Sequence, residues 1–350
     1  MSRTVLVPAH GTFVGKRSER LLLRGPGLAK GKPPAASPQS PPGSGEEEVP
    51  LFRVGEIVVP PRGVTLSSDL VQEAVSRGIP ITFLSSTGQP YAMLTSPMLT
   101  ATVQTRREQL RAMDDRRGAE LCRAFVTGKL RNQAGLLVYF AKAESGERRK
   151  AAIAAASEVR RARGRALQIQ GTKPAMVRES LMGVEGLGAQ AYWRGVKGLL
   201  EGKCEFEGRT GRGAVDSVNA LLNYGYGILT SRVWAAVMLA GLDPFAGFLH
   251  ADRPGKPSMV LDLIEEMRAP VVDRAVLAYV RLGQRVSFEG ALLDEPTRKA
   301  IASAVVERLE SSVVVRGRKM RVGSVVQQQA RSVATFVRGE GKYRTFSMAW

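Results

Sequence analysis

The stretch GEIVVPPRGVTLSSDLVQEAVSRGIPITFL, residues 55–84, decides the fold of the first part of the chain. Two runs rich in β-branched residues, 56–59 and 79–84, are typical of strands. Between them, an apolar stripe with helical spacing begins after Ser67, a residue type that caps helices, and stops at Gly78. The sequence therefore predicts a strand, a helix and a second strand in succession.

Working outward, short strands are predicted at 4–7, 12–14, 20–24 and 91–94, with glycines between them. From about residue 99 apolar residues recur every three or four positions, which indicates helices. These are expected over 101–117, 119–143, 151–166, 177–200, 215–239, 259–282, 295–309 and 327–337, with a strand pair at 313–322. The predicted fold class is α+β, with a β-rich N-terminal domain (1–97) and a mostly helical catalytic domain (98–350).

Residues 25–49 interrupt the predicted strands with a segment dominated by Pro, Gly and Ser. Such a composition offers too little apolar surface to offset the entropy of ordering the chain. We therefore expect a disordered insertion there.

The net charge of the chain indicates which class of molecule it binds. The chain has 51 Lys and Arg residues against 32 Asp and Glu residues, a formal net charge of +19. A surplus of this size favours polyanions, above all nucleic acid. The basic residues form groups that are candidates for DNA binding, although each also fits an ordinary solvated face: Arg148, Arg149, Arg160, Arg161, Arg163 and Arg165; Arg194 and Lys197; and Arg316, Arg318, Lys319 and Arg321.

Other classes are disfavoured by what the sequence lacks. Its two cysteines, Cys122 and Cys204, form no CxxC pair, which excludes a disulfide framework and a cysteine-based zinc site. The most apolar stretch, 228–249, contains Arg232 and Asp243, too many charges for a spanning helix. No nucleotide-binding loop, hydrolase elbow, zinc finger or helix-turn-helix motif is evident. We expect a soluble, cytoplasmic protein.

Candidate ligand residues occur in three separated segments. His250 opens the polar loop HADRPGKPS, whereas His10 is expected in a turn. Asp262 and Glu265 share one face of the next helix among apolar residues, where a carboxylate needs a cation or a metal as partner. A salt bridge to Arg268 or Arg274 is the plainer alternative, and Glu266 is expected on the solvated face.

Glu185 lies in SLMGVEGLGAQAYW, a helical segment unusually rich in glycine. Glycines in a helix weaken it, and a run of them suggests that another backbone or a ligand comes close. A simple helix crossing is the alternative. Two carboxylates and one imidazole suit Mg²⁺ or Mn²⁺, and in so basic a protein such an ion points to phosphodiester chemistry.

The motifs together resemble one family. GTFVGKRSERLLLR, KLRNQAGLL, SLMGVEGLGAQAYW, DSVNALLNYGYGIL and LDPFAGFLHADRPGKPSMVLDLIEEMRAPVVDR follow in order along the chain. In this order they resemble the CRISPR-associated protein one family, the integrase and endonuclease of spacer acquisition. The resemblance covers nearly the whole chain, and the insertion at 25–49 is its main departure.

The resemblance implies a specific site and assembly. Glu185, His250 and Glu265 match the family's catalytic metal ligands for Mg²⁺ or Mn²⁺, and Asp262 matches a supporting acidic position. Asn219 and Tyr226 match positions that flank the active site. The β-rich domain is expected to mediate a homodimer, and two such dimers to hold a dimer of a small companion adaptation protein.

The implied reaction is a pair of transesterifications, in which 3′-hydroxyls of a short double-stranded DNA attack the backbone at the edges of a CRISPR repeat. Two other functions stay open at this point. One is a stand-alone metal-dependent nuclease that acts on branched DNA. The other is a non-catalytic basic DNA scaffold whose acidic residues only form salt bridges.

Overall fold

The computed structural model describes residues 3–8, 10–26, 28, 45–96, 102–211 and 216–350. The chain divides into two compact units, Met1–Met98 and Leu99–Trp350. The first unit is β-rich and the second mostly helical, which confirms the predicted fold class.

Strands of the first unit pair as two four-stranded sheets in its described part, in the orders β1-β5-β7-β8 and β4-β3-β2-β6. Apolar side chains from both sheets and from the helix form one core, which includes Val14, Leu21, Ile57, Leu70 and Ile81. The elements are β1 (Arg3–Leu6), β2 (Thr12–Arg17), β3 (Arg20–Gly25), β4 (Gly45–Pro50), β5 (Val54–Val59), β6 (Val64–Leu66), α1 (Ser68–Ser76), β7 (Ile81–Leu84) and β8 (Pro90–Leu94).

Strand β4 differs from the expectation for residues 25–49. Its glutamates pair with β3, so that Glu46 lies opposite Arg24 in the register. Arg24 Nε lies 2.7 Å from Glu46, and Arg17 Nη1 lies 2.8 Å from Glu48. Arginines on the neighbouring strands thus neutralise a run of acidic residues that composition assigned to the insertion. Residues 27 and 29–44 of that predicted insertion lie outside the described residues.

The second unit contains the helices that carry the candidate site. Its elements are α2 (Thr102–Ala112), α3 (Arg116–Ala141), α4 (Gly146–Gln168), α5 (Pro174–Leu200), α6 (Ser217–Leu239), α7 (Ser258–Arg268), α8 (Arg274–Arg281), β9 (Phe288–Glu289), β10 (Leu292–Leu293), α9 (Glu295–Glu310), β11 (Ser312–Val315), β12 (Arg318–Arg321) and α10 (Val322–Val337). Among the described helices, none is long and apolar enough to cross a membrane.

The single helix predicted over 259–282 is interrupted by a π-helical segment, Ala269–Asp273. Pro270 has no N–H, so it cannot donate to the carbonyl of Glu266 one turn earlier. Asn132 Nδ2 on α3 donates to that carbonyl instead, at 2.9 Å. The Pro270 carbonyl accepts from Arg308 Nε at 2.7 Å. Side chains from α3 and α9 thus satisfy the backbone groups that the proline disturbs.

The last residues of the chain lie against α3. Asn132 also donates to the Phe346 carbonyl at 3.0 Å and accepts from the Met348 N–H at 3.0 Å. One helical turn further, Trp350 covers Gly135, where a Cβ atom would lie 2.0 Å from the indole Nε1. A side chain at position 135 would therefore force the Trp350 indole to move.

Candidate metal centre

Two carboxylates from different helices converge on one ammonium group. Lys129 Nζ on α3 lies 2.5 Å from Glu185 Oε1 on α5 and 2.6 Å from Glu265 Oε2 on α7. The three side chains are 15%, 22% and 8% exposed, respectively. Glu185 and Glu265 were both predicted from the sequence as ligands, and the fold brings them together.

The electrostatics of this cluster favour the charged forms of Glu265 and Lys129. Burial opposes the ionisation of Glu265, but Lys129, Arg268 and His250 outweigh it and lower its pKa to about 2. For Lys129, burial likewise opposes the charge, yet Glu265 and Glu185 raise its pKa above the ordinary value. The centre is therefore a pair of carboxylates, Glu265 buried and Glu185 half-buried, that share one ammonium group.

Arg268 supplies a second cation, one turn along α7. Its Nε lies 3.3 Å from Glu265 Oε1, so the plainer alternative of a salt bridge to Arg268 is also realised, between a half-buried arginine and a buried carboxylate rather than on a solvated face. The guanidinium stacks on the Tyr226 ring, 4.5 Å from its centroid. This stacking fixes the arginine beside the carboxylate.

His250 is oriented by Asp262. The fully buried Asp262 carboxylate accepts from the N–H groups of Phe248, Leu249 and His250 at 2.6, 2.9 and 2.9 Å. The imidazole Nδ1 lies 2.7 Å from the same carboxylate. When Nδ1 carries the hydrogen of this bond, Nε2 keeps a lone pair for a ligand. Asp262 thus has the geometry of a supporting residue.

Asn219 and Tyr226, the predicted flanking residues, both lie on α6. Asn219 Oδ1 accepts from Arg209 Nη1 at 2.9 Å, which holds the Arg209 guanidinium 5.3 Å above the Tyr226 ring. The Tyr226 hydroxyl donates to Asp273 Oδ1 at 2.5 Å. Tyr192 donates to the other oxygen at 2.7 Å. The π-helical segment ends at Asp273 and so presents it to both tyrosines.

The sequence analysis placed Glu266 on the solvated face of its helix, but the residue is fully buried. Its carboxylate accepts from the Tyr343 hydroxyl at 2.6 Å, Gln329 Nε2 at 3.1 Å and the Phe346 N–H at 2.7 Å. These partners lie on α10 and the C-terminal segment. The expectation was wrong because partners so distant along the chain leave no local signal beside the glutamate.

Lys129 was missed as a site residue. Its signal in the sequence is a single lysine in KLRNQAGLL, on a helix whose neighbouring positions Phe125, Val126 and Leu130 are fully buried. A lone lysine there is equally consistent with a side chain that reaches solvent. The two glutamates that partner it belong to other helices, and only the tertiary structure shows the pairing.

The donor set suits a hard divalent cation, although the three predicted ligands do not form a closed cluster. Across the described residues, no group of three or more His, Cys, Asp and Glu side chains is arranged to hold a metal ion. Glu185 and Glu265 instead share the Lys129 ammonium, which marks a position where a positive charge is stabilised. Two carboxylate oxygens and the Nε2 of His250 fit Mg²⁺ or Mn²⁺ chemically.

The predicted DNA-binding residues on α4 and α5 differ in their exposure and in their partners. Arg148, Arg149, Arg160, Arg161 and Arg165 are exposed on α4. Arg194 and Lys197 on α5 form ion pairs with Glu158 and Glu207, both at 2.6 Å. Arg163 is half-buried, and burial together with nearby Arg131 lowers its pKa. Within the described part of the chain, the exposed α4 arginines thus form no ion pair, in contrast to Arg194 and Lys197.

Comparisons with known proteins agree with this architecture. The family described as "CRISPR associated protein Cas1" matches residues 5–307. The chain is 35% identical over 301 residues to the "CRISPR-associated endonuclease Cas1 1" of Archaeoglobus fulgidus, covering 81% of this chain and 87% of the relative.

Two solved structures show the same fold at lower identity. A casposase bound to integration product matches with a TM-score of 0.76 and 18% identity, over 99% of this chain and 93% of that chain. A chain of a Cas6-RT-Cas1–Cas2 complex matches with a TM-score of 0.72 and 17% identity, over 99% of this chain and 36% of that chain.

Proposed function

Because the chain belongs to the Cas1 family, we propose that it is an integrase of CRISPR adaptation that also acts as a DNA endonuclease. In each joining step, the 3′-oxygen of a short DNA duplex bonds to a phosphorus at the edge of a CRISPR repeat. The bond between that phosphorus and the 3′-oxygen of the repeat strand breaks, and the proton of the attacking hydroxyl ends on the leaving oxygen. With water as nucleophile, the same site cuts DNA.

The observation that carries this proposal is the convergence of Glu185 and Glu265 on Lys129, beside the loop that Asp262 orders. A non-catalytic scaffold has no need to bury two carboxylates from separate helices together. Separating them would remove the cost of desolvating like charges. Their convergence at one point supports a reaction that depends on a bound cation.

Glu185, His250 and Glu265 are the residues that would hold the metal. A bound Mg²⁺ or Mn²⁺ supplies polarisation of a phosphoryl oxygen and stabilises developing charge on the attacking or leaving oxygen. Asp262 keeps the His250 ring in one orientation through Nδ1. Lys129 and Arg268 favour the charged form of Glu265 and so lower the pKa of its carboxyl group.

Lys129 lies between Glu185 and Glu265 and compensates their negative charge. A divalent cation held by the two glutamates and His250 would supply that charge instead. The Lys129 ammonium would then be available to contact a phosphate oxygen of the bound DNA. Arg268, held against the Tyr226 ring, stays beside Glu265 and limits the movement of its carboxylate.

The exposed arginines of α4 position the duplex. Contacts of this kind engage phosphates and read no bases, which fits a protein that accepts DNA of many sequences. Held by such contacts, the hydroxyl and the phosphorus can approach in line, which contributes much of the rate of a reaction between two bound groups.

The assembly belongs to the same proposal. The β-rich first unit is expected to form a homodimer, and two dimers to hold a dimer of the companion protein. The likeness to a chain within a Cas6-RT-Cas1–Cas2 complex supports an assembly with a companion. Light scattering of the chain alone and with its companion measures both steps.

The decisive experiment is strand transfer of a short duplex into a supercoiled plasmid that carries the repeat, with Mg²⁺, Mn²⁺ or EDTA. Glu185→Ala should abolish transfer and leave duplex binding intact, because binding rests on the basic surfaces. Glu179→Ala is the matched control, an exposed glutamate on the same helix.

The outcomes separate the candidate functions. Transfer that requires metal and Glu185 supports the integrase. Cutting of branched DNA without transfer, even with the companion protein, would indicate a stand-alone nuclease. Duplex binding with neither reaction would indicate a scaffold, and transfer by Glu185→Ala would refute the assignment of the site.

A further inference from the structure

The hairpin β11–β12 presents a basic tip that the candidate centre does not use. Arg316 and Gly317 form its two-residue turn, and Arg318 and Lys319 follow on β12. All four residues are exposed. Across the described residues, Arg316, Arg318 and Lys319 form no ion pair, whereas Arg321 at the base of the hairpin pairs with Glu310 at 2.6 Å. The tip therefore carries three uncompensated positive charges.

The backbone of this turn is unfavourable for the residue it contains. Arg316 has φ of 50° and Gly317 has φ of 77°, the signature of a type I′ turn, in which asparagine and glycine are preferred. An arginine in the left-handed region costs free energy that an asparagine or glycine would largely avoid. Within the described part of the chain, the one hydrogen bond found for its side chain is a long contact of 3.4 Å with the Arg344 carbonyl. Burial raises the pKa of the nearby Tyr343 hydroxyl, and the charge of Arg316 offsets that rise slightly. These contacts are weak compensation for an arginine in this conformation.

The hairpin has one buried and one outward face. Val313 is buried and lies opposite Met320, whereas Val314 is 59% exposed and lies opposite Lys319. The hairpin is therefore anchored on one face, and its tip and outer face carry the cations into solvent. Lys342 and Arg344 of the C-terminal segment are exposed as well, and the contact with Arg316 places Arg344 next to the turn.

This surface is separate from the candidate centre. Gln329 links it to α7, since its Nε2 donates to the Arg344 carbonyl at 3.0 Å and to Glu266 Oε1 at 3.1 Å. Consecutive residues on a helix point about 100° apart, so Glu266 faces the C-terminal segment while Glu265 faces Lys129. A ligand bound to the hairpin therefore lies on a different side of α7 from Glu185 and Glu265.

We propose that the β11–β12 tip, together with Lys342 and Arg344, is a second binding surface for duplex DNA, which contacts backbone phosphates. The inference rests on the proposed function for the choice of DNA as ligand. Five exposed cations on a turn and an adjacent extended segment match a row of phosphates better than one compact anion. Tyr343, between Lys342 and Arg344, is directed inward, since its hydroxyl donates to Glu266 and its ring packs on Phe125. Among the described residues of this surface, no fully exposed aromatic side chain is offered for stacking on single-stranded bases, which favours a duplex.

The test measures affinity for a duplex with blocked 3′ ends across a salt series, without metal. Each phosphate contact contributes about 0.9 to the slope of log K against log salt, so Arg316→Asn with Arg318→Gln and Lys319→Gln should reduce that slope by about 2.7. Arg285→Gln with Lys299→Gln removes exposed cations elsewhere in the same unit and should leave the slope nearly unchanged.

A single variant separates folding from binding. Arg316→Asn should raise the melting temperature, because asparagine suits the turn, and reduce the slope by about 0.9. A structural role for Arg316 predicts a lower melting temperature instead. An unchanged salt slope in the triple variant would overturn the proposal. It would also be overturned if the triple variant lost the binding of the parent protein to anionic vesicles but bound the duplex as the parent does.

These measurements do not depend on catalysis. If strand transfer never occurs, the salt slopes are still readable, and only the proposed function fails. If the triple variant binds the duplex like the parent while strand transfer by the parent requires Glu185, only the second surface fails.

Discussion

Lys129 Nζ and Glu265 Oε2 lie 2.6 Å apart between α3 and α7, in a cluster that also holds Glu185. Removal of one partner of a buried ion pair leaves the other without compensation, at a cost of about 3 kcal/mol. Lys129→Met should therefore lower the free energy of unfolding by roughly that amount, reduced somewhat by the partial exposure of Glu185. Lys142→Met, at the exposed end of α3, is the control.

The same variant reports on the metal. Added Mn²⁺ should raise the melting temperature of Lys129→Met more than that of the parent, because the ion replaces the missing positive charge. A variant as stable as the parent, with no response to Mn²⁺, would show that the two glutamates do not form a cation site.

Asp262 should matter for stability as well as for chemistry. Asp262→Ala leaves the N–H groups of Phe248, Leu249 and His250 without their acceptor, and each unsatisfied buried donor costs about 1–3 kcal/mol. We expect a loss of about 3 kcal/mol after relaxation of the loop, and a smaller loss for Asp262→Asn. Asp252→Ala, exposed on the same loop, should be neutral in urea unfolding. Equal stability of all three variants would contradict this.

Asp273 should make the free energy of unfolding depend on pH, in a direction set by the burial of its carboxyl group. Burial raises its pKa above the ordinary value and outweighs the Tyr226 and Tyr192 hydroxyls. A carboxyl with a raised folded-state pKa contributes stability at acid pH that is lost as the pH rises through that pKa. The stability advantage of the parent over Asp273→Asn should therefore shrink from about pH 4 upward. The prediction fails if the unfolding free energies of the parent and of Asp273→Asn differ by the same amount at every pH.

Gly183 and Gly186 flank Glu185, and a Cβ atom at either position would meet no other group within 4 Å. Packing within the described part of the chain therefore does not explain them, and replacement by alanine should stabilise the helix by up to about 1 kcal/mol each. If bound DNA approaches this face, the same replacements should weaken duplex binding. Gly198→Ala on the same helix, also in open space, should leave binding unchanged. A double variant that is more stable and binds equally well would assign the glycines no role toward DNA.

Periodicity in the sequence predicted the succession of helices because each helix buries one apolar stripe. It also identified Glu185, Asp262 and Glu265 as carboxylates in unusual apolar or glycine-rich surroundings. Strand β4 was missed because its glutamates depend on arginines of β2 and β3, which the composition of the segment does not reveal.

The rest of the site depends on contacts between distant parts of the chain. Lys129 becomes a site residue only when α5 and α7 bring their glutamates to it. Glu266 was assigned to solvent because its partners, Tyr343 and Phe346, come near the end of the chain. The assignment of Glu185, His250 and Glu265 as ligands of one ion stays a prediction.

The π-helical segment Ala269–Asp273 joins α7 directly to α8. It therefore sets the angle about the helix axis between the side chains of α7 and those that follow. Ahead of it, α7 aims Glu265 at Lys129, and at its end Asp273 is aimed at Tyr192 and Tyr226. Deleting one residue within 269–272 would turn everything that follows by about 100°, with almost no change in length. An insertion or deletion along this stretch would therefore rotate the Asp273 side chain about the helix axis. It would separate Asp273 from Tyr192 and Tyr226 without changing any of these three residues.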